Sequence, residues 1–349
     1  MDLFSGGRPG GRSRVFTDGT SLETTCDDCA ITQLRMMTEF SSEIAASSSE
    51  NVMQIGNQTV YFGNSEHMDA VPANTINLIA TSPPYWNLKK YGQKSAQIGA
   101  SNYEAYLERL DKVWTECYRV AREGAIFVLN VNSRRSKGIF YPIAFDVYNR
   151  MKLWTLWDVL IWYISNALPH PNHYMERLFD NKFEYLLIFL KGEPHQYKFH
   201  KPRVPQKYLN ADPRQHKKNK NGRCLGNILR IPAYRPPNVK QLVYHEAAFP
   251  EELVAVMVET FTDESDTVLD PFLGSGTTLK VCGIMNRVGI GYEINEDYRE
   301  LITRRINEQW AVPDWRQIDL IHSTTMEPGM KEPRKVQFLS LKRDQQKLL

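Results

Sequence analysis

The segment 267–293 constrains the fold more than any other part of the chain. An apolar strand, 267–270, runs into a glycine-rich turn, a helix follows over 277–285, and a second apolar strand ends at Glu293. Glycines let a backbone approach a ligand closely, and the start of a helix offers free N–H groups. This order predicts an α/β unit with a ligand site at the turn.

The turn has the sequence DPFLGSGTT over 270–278. A P-loop is excluded because no Lys follows Gly276, and Leu279 stands where a dinucleotide fingerprint has its third glycine. A nucleoside-type ligand remains, in which Asp270 accepts from an ammonium group and Glu293 accepts from two ribose hydroxyls. The alternative, a tight structural turn followed by a surface glutamate, fits this ordered series of elements less well.

A second motif, TSPPYW over 81–86, ends the predicted buried strand 76–82. Its prolines stop the strand and stiffen the backbone, so their carbonyls are free to accept hydrogen bonds. Ser82 adds an acceptor and Tyr85 adds a flat aromatic face, a set that suits a planar ring with an amino group. Alone, such a motif is more often a proline turn beside a core aromatic. Next to the nucleoside site it indicates function.

Strands and helices alternate along the chain, which predicts a mostly parallel sheet covered on both faces. The other predicted strands are 59–63, 124–132, 153–164, 184–191 and 287–292. The other predicted helices are 103–122, 142–151, 250–262 and 295–310. Residues 1–56, rich in Ser, Thr, Gly and acids, are predicted to form a poorly ordered arm.

Positive charge is concentrated in the segment 191–240. It holds 13 Lys and Arg against two Asp and Glu, a net charge of +11, whereas the whole chain carries +3. Such a segment is typical of a nucleic-acid contact, because neutralised phosphates supply most non-specific affinity. A solvated Lys-rich loop is an equally simple alternative. We expect five regions: arm 1–56, half-domain 57–191, basic module 192–240, half-domain 241–312 and tail 313–349.

Several classes of protein are disfavoured by composition. No run of 18 apolar residues exists, so no membrane span is expected, and the Gly- and Arg-rich start lacks the apolar core of a signal peptide. Five scattered cysteines argue against a disulfide framework and fit a reducing, cytoplasmic compartment. The lone CxxC at Cys26 and Cys29 cannot complete a four-ligand zinc site, so no metal is expected.

Together, the two motifs resemble those of the amino-methyltransferases of DNA restriction–modification systems. That family has (Asp/Asn/Ser)-Pro-Pro-(Tyr/Phe/Trp) as its catalytic motif and Phe-x-Gly-x-Gly in its cofactor motif, which the chain matches at 82–85 and 272–276. The resemblance covers residues 57–310. The catalytic motif comes first and the basic module lies between, which resembles the circularly permuted beta group, whose inserted module is the target-recognition domain.

This resemblance implies a Rossmann-like methyltransferase fold, with a mostly parallel sheet, an antiparallel edge strand and S-adenosylmethionine as cofactor. The implied catalytic residues are Ser82, Pro83, Pro84 and Tyr85. The implied cofactor contacts are Asn64, Phe249, Asp270, Pro271, Phe272, Gly274, Gly276, Thr277, Thr278 and Glu293. The implied DNA contacts are Lys217, Lys218, Lys220 and Arg223. The residues that resemble the motif holding a flipped base are Trp162, Asn166, Pro169 and Glu184.

Two positions depart from the family pattern. The family usually has Gly-Asp where this chain has Gly63-Asn64, and that acid contacts the cofactor adenine. The Asn64 carbonyl can accept from the adenine amine instead. The common His-Pro is His245-Glu246 here. Neither departure touches the two central motifs.

The leading Ser82 resembles the enzymes that methylate N4 of cytosine, whereas Asp is commoner in those that methylate N6 of adenine. We expect a site-specific N4-cytosine methyltransferase acting on a base flipped out of double-stranded DNA, as a monomer or homodimer, with a cognate restriction endonuclease and no membrane partner. Cys117, Cys224 and Cys282 lack the Pro-Cys setting of carbon-5 methylation and are expected to be structural. The alternatives are N6-adenine methylation, methylation of RNA or a protein glutamine, and a non-catalytic DNA-binding protein.

Overall fold

The computed structural model describes residues 51–86, 102–136, 138–167, 178–204, 223–233, 250–308 and 315–316. Its strands are β1 (Val52–Ile55), β2 (Gln58–Phe62), β3 (Ile76–Thr81), β4 (Ala121–Val131), β5 (Arg134–Ser136), β6 (Ile139–Tyr141), β7 (Thr155–Tyr163), β8 (Phe183–Leu190), β9 (Arg203–Val204), β10 (Arg223–Cys224), β11 (Ile228–Arg230), β12 (Thr267–Asp270) and β13 (Val288–Glu293). Its helices are α1 (Tyr103–Val120), α2 (Ile143–Arg150), α3 (Glu251–Phe261), α4 (Thr277–Ile284) and α5 (Arg299–Asn307), with a 3₁₀ turn (Glu296–Tyr298) before α5.

Among the described residues, nine strands form the main sheet in the order β1-β2-β13-β12-β3-β4-β8-β7-β11. Five neighbouring strands of the sheet run parallel, in the order β2, β13, β12, β3 and β4. Strand β8 is antiparallel to both β4 and β7, and β1 is an antiparallel edge. The predicted mostly parallel α/β fold with an antiparallel edge strand is therefore confirmed. Because β12 pairs with β3, the two sequence motifs leave the sheet side by side at its carboxyl edge.

Both faces of the sheet are covered, because side chains alternate along its buried central strands. On β3, Ile79 packs on one face with α1 and α2, and Leu78 packs on the other with α3. Cys117 and Cys282 are buried in these two layers, whereas Cys224, which was also expected to be structural, is exposed. No helix in the described parts of the chain is long and apolar enough to cross a membrane.

Three described segments differ from the regions expected from the sequence. β1 lies inside the predicted arm but pairs with β2, and β11 lies inside the predicted basic module but extends the main sheet beside β7. Trp315 falls in the predicted tail, yet it is buried and donates through Nε1 to Glu259 at 3.1 Å. These segments have four residues or fewer in regular structure, too few for a hydrophobic pattern to stand out.

Lys191 is a buried cation at the end of β8, beside the C-terminus of α1. Its Nζ donates to the Tyr118 and Ala121 carbonyls at 2.9 and 2.8 Å, and to Asn74 Oδ1 at 3.2 Å. The last carbonyls of a helix lack intrahelical partners, so Lys191 caps α1 from a neighbouring strand.

Replacing Lys191 with alanine is expected to lower the free energy of unfolding by about 2–4 kcal/mol, because buried carbonyls lose their donor. Urea denaturation measures this change. Lys182→Ala is the matched control, because Lys182 is exposed just before β8 and its loss is expected to cost less than about 0.5 kcal/mol. Equal losses in the two variants would contradict the capping role.

Candidate active site

The two motifs meet where β3 and β12 end. Thr81, the last residue of β3, donates through Oγ1 to Asp270 Oδ1 at 2.6 Å, and Thr278 donates to Asp270 Oδ2 at 2.6 Å. The backbone N–H of Phe272 also donates to Oδ1, at 3.1 Å. One carboxylate therefore ties the proline motif to the glycine-rich turn and to the first residues of α4.

Asp270 is only 2% exposed, so this junction is almost closed to solvent. Burial raises the pKa of its carboxyl above the usual value, and the hydrogen bonds from Thr278, Thr81 and Phe272 oppose that shift. Both carboxylate oxygens have donors from the protein. The contact with a ligand ammonium group that the sequence suggested stays a prediction.

The shape of the glycine-rich turn depends on two glycines. Gly276, the N-cap of α4, has φ +88°, in the left-handed region that side chains disfavour. Gly291 of β13 lies against the turn, and a Cβ there would stand 2.7 Å from Leu273 Cδ2. The Leu273 N–H also donates to the Tyr292 carbonyl at 2.8 Å, so the turn packs flat on β13.

Other residues predicted around the turn are placed by the same packing. Pro271 is buried directly after β12. The Phe272 ring packs edge-on against Trp114 of α1, with centroids 6.0 Å apart. Thr277 opens α4, and its Oγ1 lies 3.1 Å from Ser275 Oγ.

Glu293 ends β13 beside this turn. Its carboxylate accepts from the backbone N–H groups of Gly274 at 2.9 Å and Asn295 at 2.8 Å. Burial raises the pKa of Glu293 to about 7, although these backbone donors oppose the shift. The acid predicted to bind ribose hydroxyls is thus attached to the glycine-rich turn and changes its charge near neutral pH.

The proline motif is joined to β8 through Tyr85. Its hydroxyl donates to Glu184 Oε2 at 2.8 Å, with Ser82 beside the Tyr85 hydroxyl and Asn130 of β4 beside the Glu184 carboxyl. Burial, and then Glu184, raise the pKa of Tyr85 well above its usual range, and burial raises the pKa of Glu184. Of the two prolines between Ser82 and Tyr85, Pro83 is buried and Pro84 is half-buried. The result is a row of polar side chains from Ser82 to Glu184, which contains the Tyr85–Glu184 hydrogen bond.

Two residues that resemble the base-holding motif are engaged with the segment after β11. Trp162 Nε1 donates to the Ile231 carbonyl at 2.8 Å. Asn166 accepts from the Ala233 N–H at 2.8 Å and donates to its carbonyl at 3.1 Å. These bonds fasten β7 and the turn that follows it to residues 231–233.

Asn64, the departure from the family pattern, follows β2 and is fixed by Glu66. Its Oδ1 accepts from the Glu66 N–H at 3.1 Å, and its side chain lies beside the Glu66 carboxylate. Glu66 also pairs with Arg109 at 2.5 Å. Burial raises the pKa of Glu66, but the hydrogen bonds from Arg109 and Asn64 outweigh it, so the pKa is lowered overall.

Sequence reasoning missed two residues that organise the site, Thr81 and Asn130. A signal for each exists: Thr81 is a hydroxyl at the last position of a buried strand, and Asn130 is an amide in an apolar one. Several predicted residues lie outside the described part of the chain: Pro169, Lys217, Lys218, Lys220, Phe249 and the side chain of Arg223. Within the described residues, no group of three or more His, Cys, Asp or Glu is placed to hold a metal.

Known proteins with similar sequences are methyltransferases. A family model described as DNA methylase, of the N6/N4 methyltransferase type, matches residues 76–304. The Type II methyltransferase M.MjaI of Methanocaldococcus jannaschii is 27% identical over 289 residues, which are 72% of this chain and 91% of that protein. The orphan methyltransferase M.BamHII of Bacillus amyloliquefaciens is 31% identical over 252 residues, which are 66% of this chain and 89% of that protein.

A solved structure of similar fold is that of PvuII DNA methyltransferase, described as cytosine-N4-specific. It aligns with a TM-score of 0.56 over 77% of this chain and 93% of its own, at 20% identity. At that identity the likeness shows the fold alone. It confirms the Rossmann-like methyltransferase fold that the sequence motifs implied.

Proposed function

This chain belongs to the N6/N4 family of DNA methylases, and from that premise we propose that it methylates the exocyclic N4 of a cytosine in DNA. The observation that carries this proposal is the junction at Asp270, which fixes the Ser-Pro-Pro-Tyr tetrapeptide beside the glycine-rich turn. A methyl donor held at the turn would lie next to the groups that receive the amine. Proximity of this kind can supply much of the barrier reduction.

The methyl donor is S-adenosylmethionine, which supplies an electrophilic sulfonium methyl group when it is bound. The donor set fits it, because Glu293 is a buried carboxylate suited to ribose hydroxyls, beside a turn in which Gly274 and Gly276 have positive φ. We assign adenine recognition to the fixed amide of Asn64 and contact with the methionine end to Phe249. The rest of the cofactor surface is assigned to Asp270, Pro271, Phe272, Gly274, Gly276, Thr277 and Thr278.

The amine of cytosine is a poor nucleophile because its lone pair is conjugated with the ring. We infer that this row of polar side chains orients Ser82 to correct this: the Ser82 hydroxyl would donate a hydrogen bond to the Tyr85 oxygen, and the Tyr85 hydroxyl donates to Glu184. The lone pairs of Ser82 are then left to accept one amine proton, while the Pro83 carbonyl accepts the other. The nitrogen becomes more nearly tetrahedral and its lone pair turns towards the methyl group, and the amine loses one of its two protons in exchange for that group. Tyr85 would stack on the ring, and no covalent intermediate is needed.

The nature of the target base depends on Ser82. The leading serine favours cytosine N4, and adenine N6 is the second candidate because its amine presents the same two protons. The base must leave the duplex, at a cost of a few kcal/mol. We assign phosphate contacts and sequence reading to the basic module 192–240, with Lys217, Lys218, Lys220 and Arg223. The names of the relatives, Type II and orphan methyltransferase, support a role in a restriction–modification system, with or without a cognate endonuclease.

Transfer of a labelled methyl group tests this function. The protein is incubated with labelled S-adenosylmethionine and, in parallel, unmethylated duplex DNA, RNA of the same sequence, and a cell extract depleted of nucleic acid. Label is expected in duplex DNA. Preferential label in RNA or protein would overturn the choice of substrate. Tight DNA binding without label in any acceptor would identify a non-catalytic DNA-binding protein.

Cofactor affinity is expected to fall as the pH drops through about 7. Ribose hydroxyls donate to the charged form of Glu293, whose pKa burial raises from 4.5 to about 7, so binding competes with protonation below that pH. Affinity should decline towards about tenfold per pH unit on the acid side and be flat on the alkaline side. Equilibrium dialysis from about pH 5.5 to about pH 9, a range that spans the Glu293 pKa of about 7, measures this dependence.

Glu293→Gln is expected to bind more weakly at high pH and to lose most of this pH dependence, since the amide does not titrate in this range. Glu296→Gln, on the 3₁₀ turn that follows, is the matched control and should keep the profile of the unmodified protein. A flat profile in the unmodified protein would show that Glu293 does not bind the ribose as a titrating carboxylate.

A further inference from the structure

An arginine of the β5–β6 hairpin is attached directly to the catalytic end of β3. Arg134 Nη1 donates at 2.6 Å to the carbonyl of Trp86, the residue after Tyr85. The Trp86 ring packs on Tyr141 of β6, with centroids 4.5 Å apart, and on Tyr103 of α1. The hairpin therefore stands at the rim of the proposed substrate site.

The guanidinium of Arg134 is half-buried without a described counter-ion. Its Nε is buried and has no hydrogen-bond partner among the described residues, and the same holds for the hydroxyl of the adjacent Ser133. Burial lowers the pKa of Arg134, and no described carboxylate opposes that shift. The acid on the neighbouring helix, Asp146, accepts from Tyr103 at 2.6 Å. The segment 87–101 that follows Trp86 contains three Lys and no Asp or Glu.

The rest of the hairpin surface is cationic and apolar. Residues 132–142 contain two Arg and one Lys and no acid. At its tip, Ile139 and Phe140 are 58% and 52% exposed, and the Arg135 guanidinium lies 5.5 Å from the centre of the Phe140 ring. Cations beside exposed apolar side chains are typical of surfaces that contact a distorted nucleic-acid duplex.

We propose that Arg134 binds a backbone phosphate of the DNA strand that carries the target base, which makes the β5–β6 hairpin a DNA contact outside the basic module. The inference rests on the proposed function. A desolvated guanidinium without a carboxylate is stabilised by an anion, and phosphate matches its planar set of donors. A flipped base stays bonded to its own backbone, so its flanking phosphates lie at the rim of the pocket, where Arg134 stands.

The salt dependence of DNA binding tests this contact. Each neutralised phosphate contributes about 0.9 to the slope of log affinity against log salt concentration, so Arg134→Gln is expected to reduce the slope by about that amount. Affinity for duplex DNA at low salt should fall roughly tenfold. Affinity for S-adenosylmethionine should not change. Arg122→Gln is the matched control, because it removes the same charge from an exposed position at the opposite end of β4 and should leave the slope unchanged.

Arg134→Lys covers the case in which the glutamine variant does not fold, because it keeps the charge and is expected to keep the slope while it lowers affinity. An unchanged slope in a folded Arg134→Gln protein would overturn the proposal and leave Arg134 as a structural tie to Trp86. An unchanged slope together with weaker binding of S-adenosylmethionine would also overturn the proposal, and would indicate that Arg134 binds the carboxylate of the cofactor. If Phe140→Ser changed the oligomeric state and left DNA binding intact, the hairpin tip would belong to a contact between copies. Failure of the unmodified protein to bind DNA would overturn the proposed function itself.

Discussion

Replacing Ser82 with alanine is expected to lower the rate constant for methyl transfer about 100- to 1000-fold, with unchanged affinity for S-adenosylmethionine. Alanine removes the proposed acceptor for one amine proton, which lies beside the Tyr85 hydroxyl. The loss compares with removing one preorganised group from a site of developing charge. Single-turnover transfer to duplex DNA measures the rate constant, and equilibrium dialysis measures cofactor affinity.

Two further variants make this result specific. Thr115→Ala removes an exposed hydroxyl on α1, which bonds only locally to the Asp111 carbonyl at 2.8 Å, and it should retain the full rate. The rate constant of Glu184→Gln should lie between those of Ser82→Ala and Thr115→Ala, roughly tenfold below that of the unmodified protein. The reason is that an amide is a weaker acceptor for the Tyr85 hydroxyl. A Ser82→Ala rate constant within about threefold of the unmodified value would contradict the role of Ser82 as acceptor.

Replacing Asp270 with alanine is expected to lower the free energy of unfolding by about 3 kcal/mol and to abolish measurable cofactor binding. The variant leaves two buried hydroxyls and the Phe272 N–H without their acceptor, and each such group costs about 1–3 kcal/mol, partly recovered by relaxation. The turn and the tetrapeptide also lose their link, so both halves of the site should loosen. Urea denaturation and cofactor dialysis are the two measurements.

Asp270→Asn should lose less stability, because the amide keeps one acceptor and avoids the desolvation of a buried charge. Asp158→Ala removes an exposed carboxylate from β7 and is expected to change stability by less than about 0.5 kcal/mol. If the Asp270→Ala and Asp158→Ala proteins had the same urea midpoint of unfolding, this would contradict the role of the Asp270 carboxylate in joining the two motifs.

The central strands and the glycine-rich turn could be predicted from the sequence because their signals are local. Buried strands such as β4 and β8 contain continuous apolar runs, and the turn needs glycine where φ is positive. The candidate site residues of the two motifs could be proposed for the same reason, since each motif is contiguous.

The contacts that join the motifs could not be predicted, because they are distant in the chain. Thr81 and Asp270 are 189 positions apart, and Tyr85 and Glu184 are 99 apart. Only the strand order, with β12 beside β3 and β8 beside β4, brings each pair together. The lack of a hydrogen-bond partner for Arg134 Nε among the described residues could not be predicted either, since it depends on which acidic side chains the fold brings nearby.

Identification of the methylated nucleoside tests the central claim most directly. Unmethylated duplex DNA is incubated with the protein and labelled S-adenosylmethionine, digested to nucleosides and separated by chromatography with mass detection. The label is expected in N4-methylcytosine and to disappear with Ser82→Ala. Label in N6-methyladenine would contradict the choice of cytosine, and label in 5-methylcytosine would contradict methylation of an amine altogether.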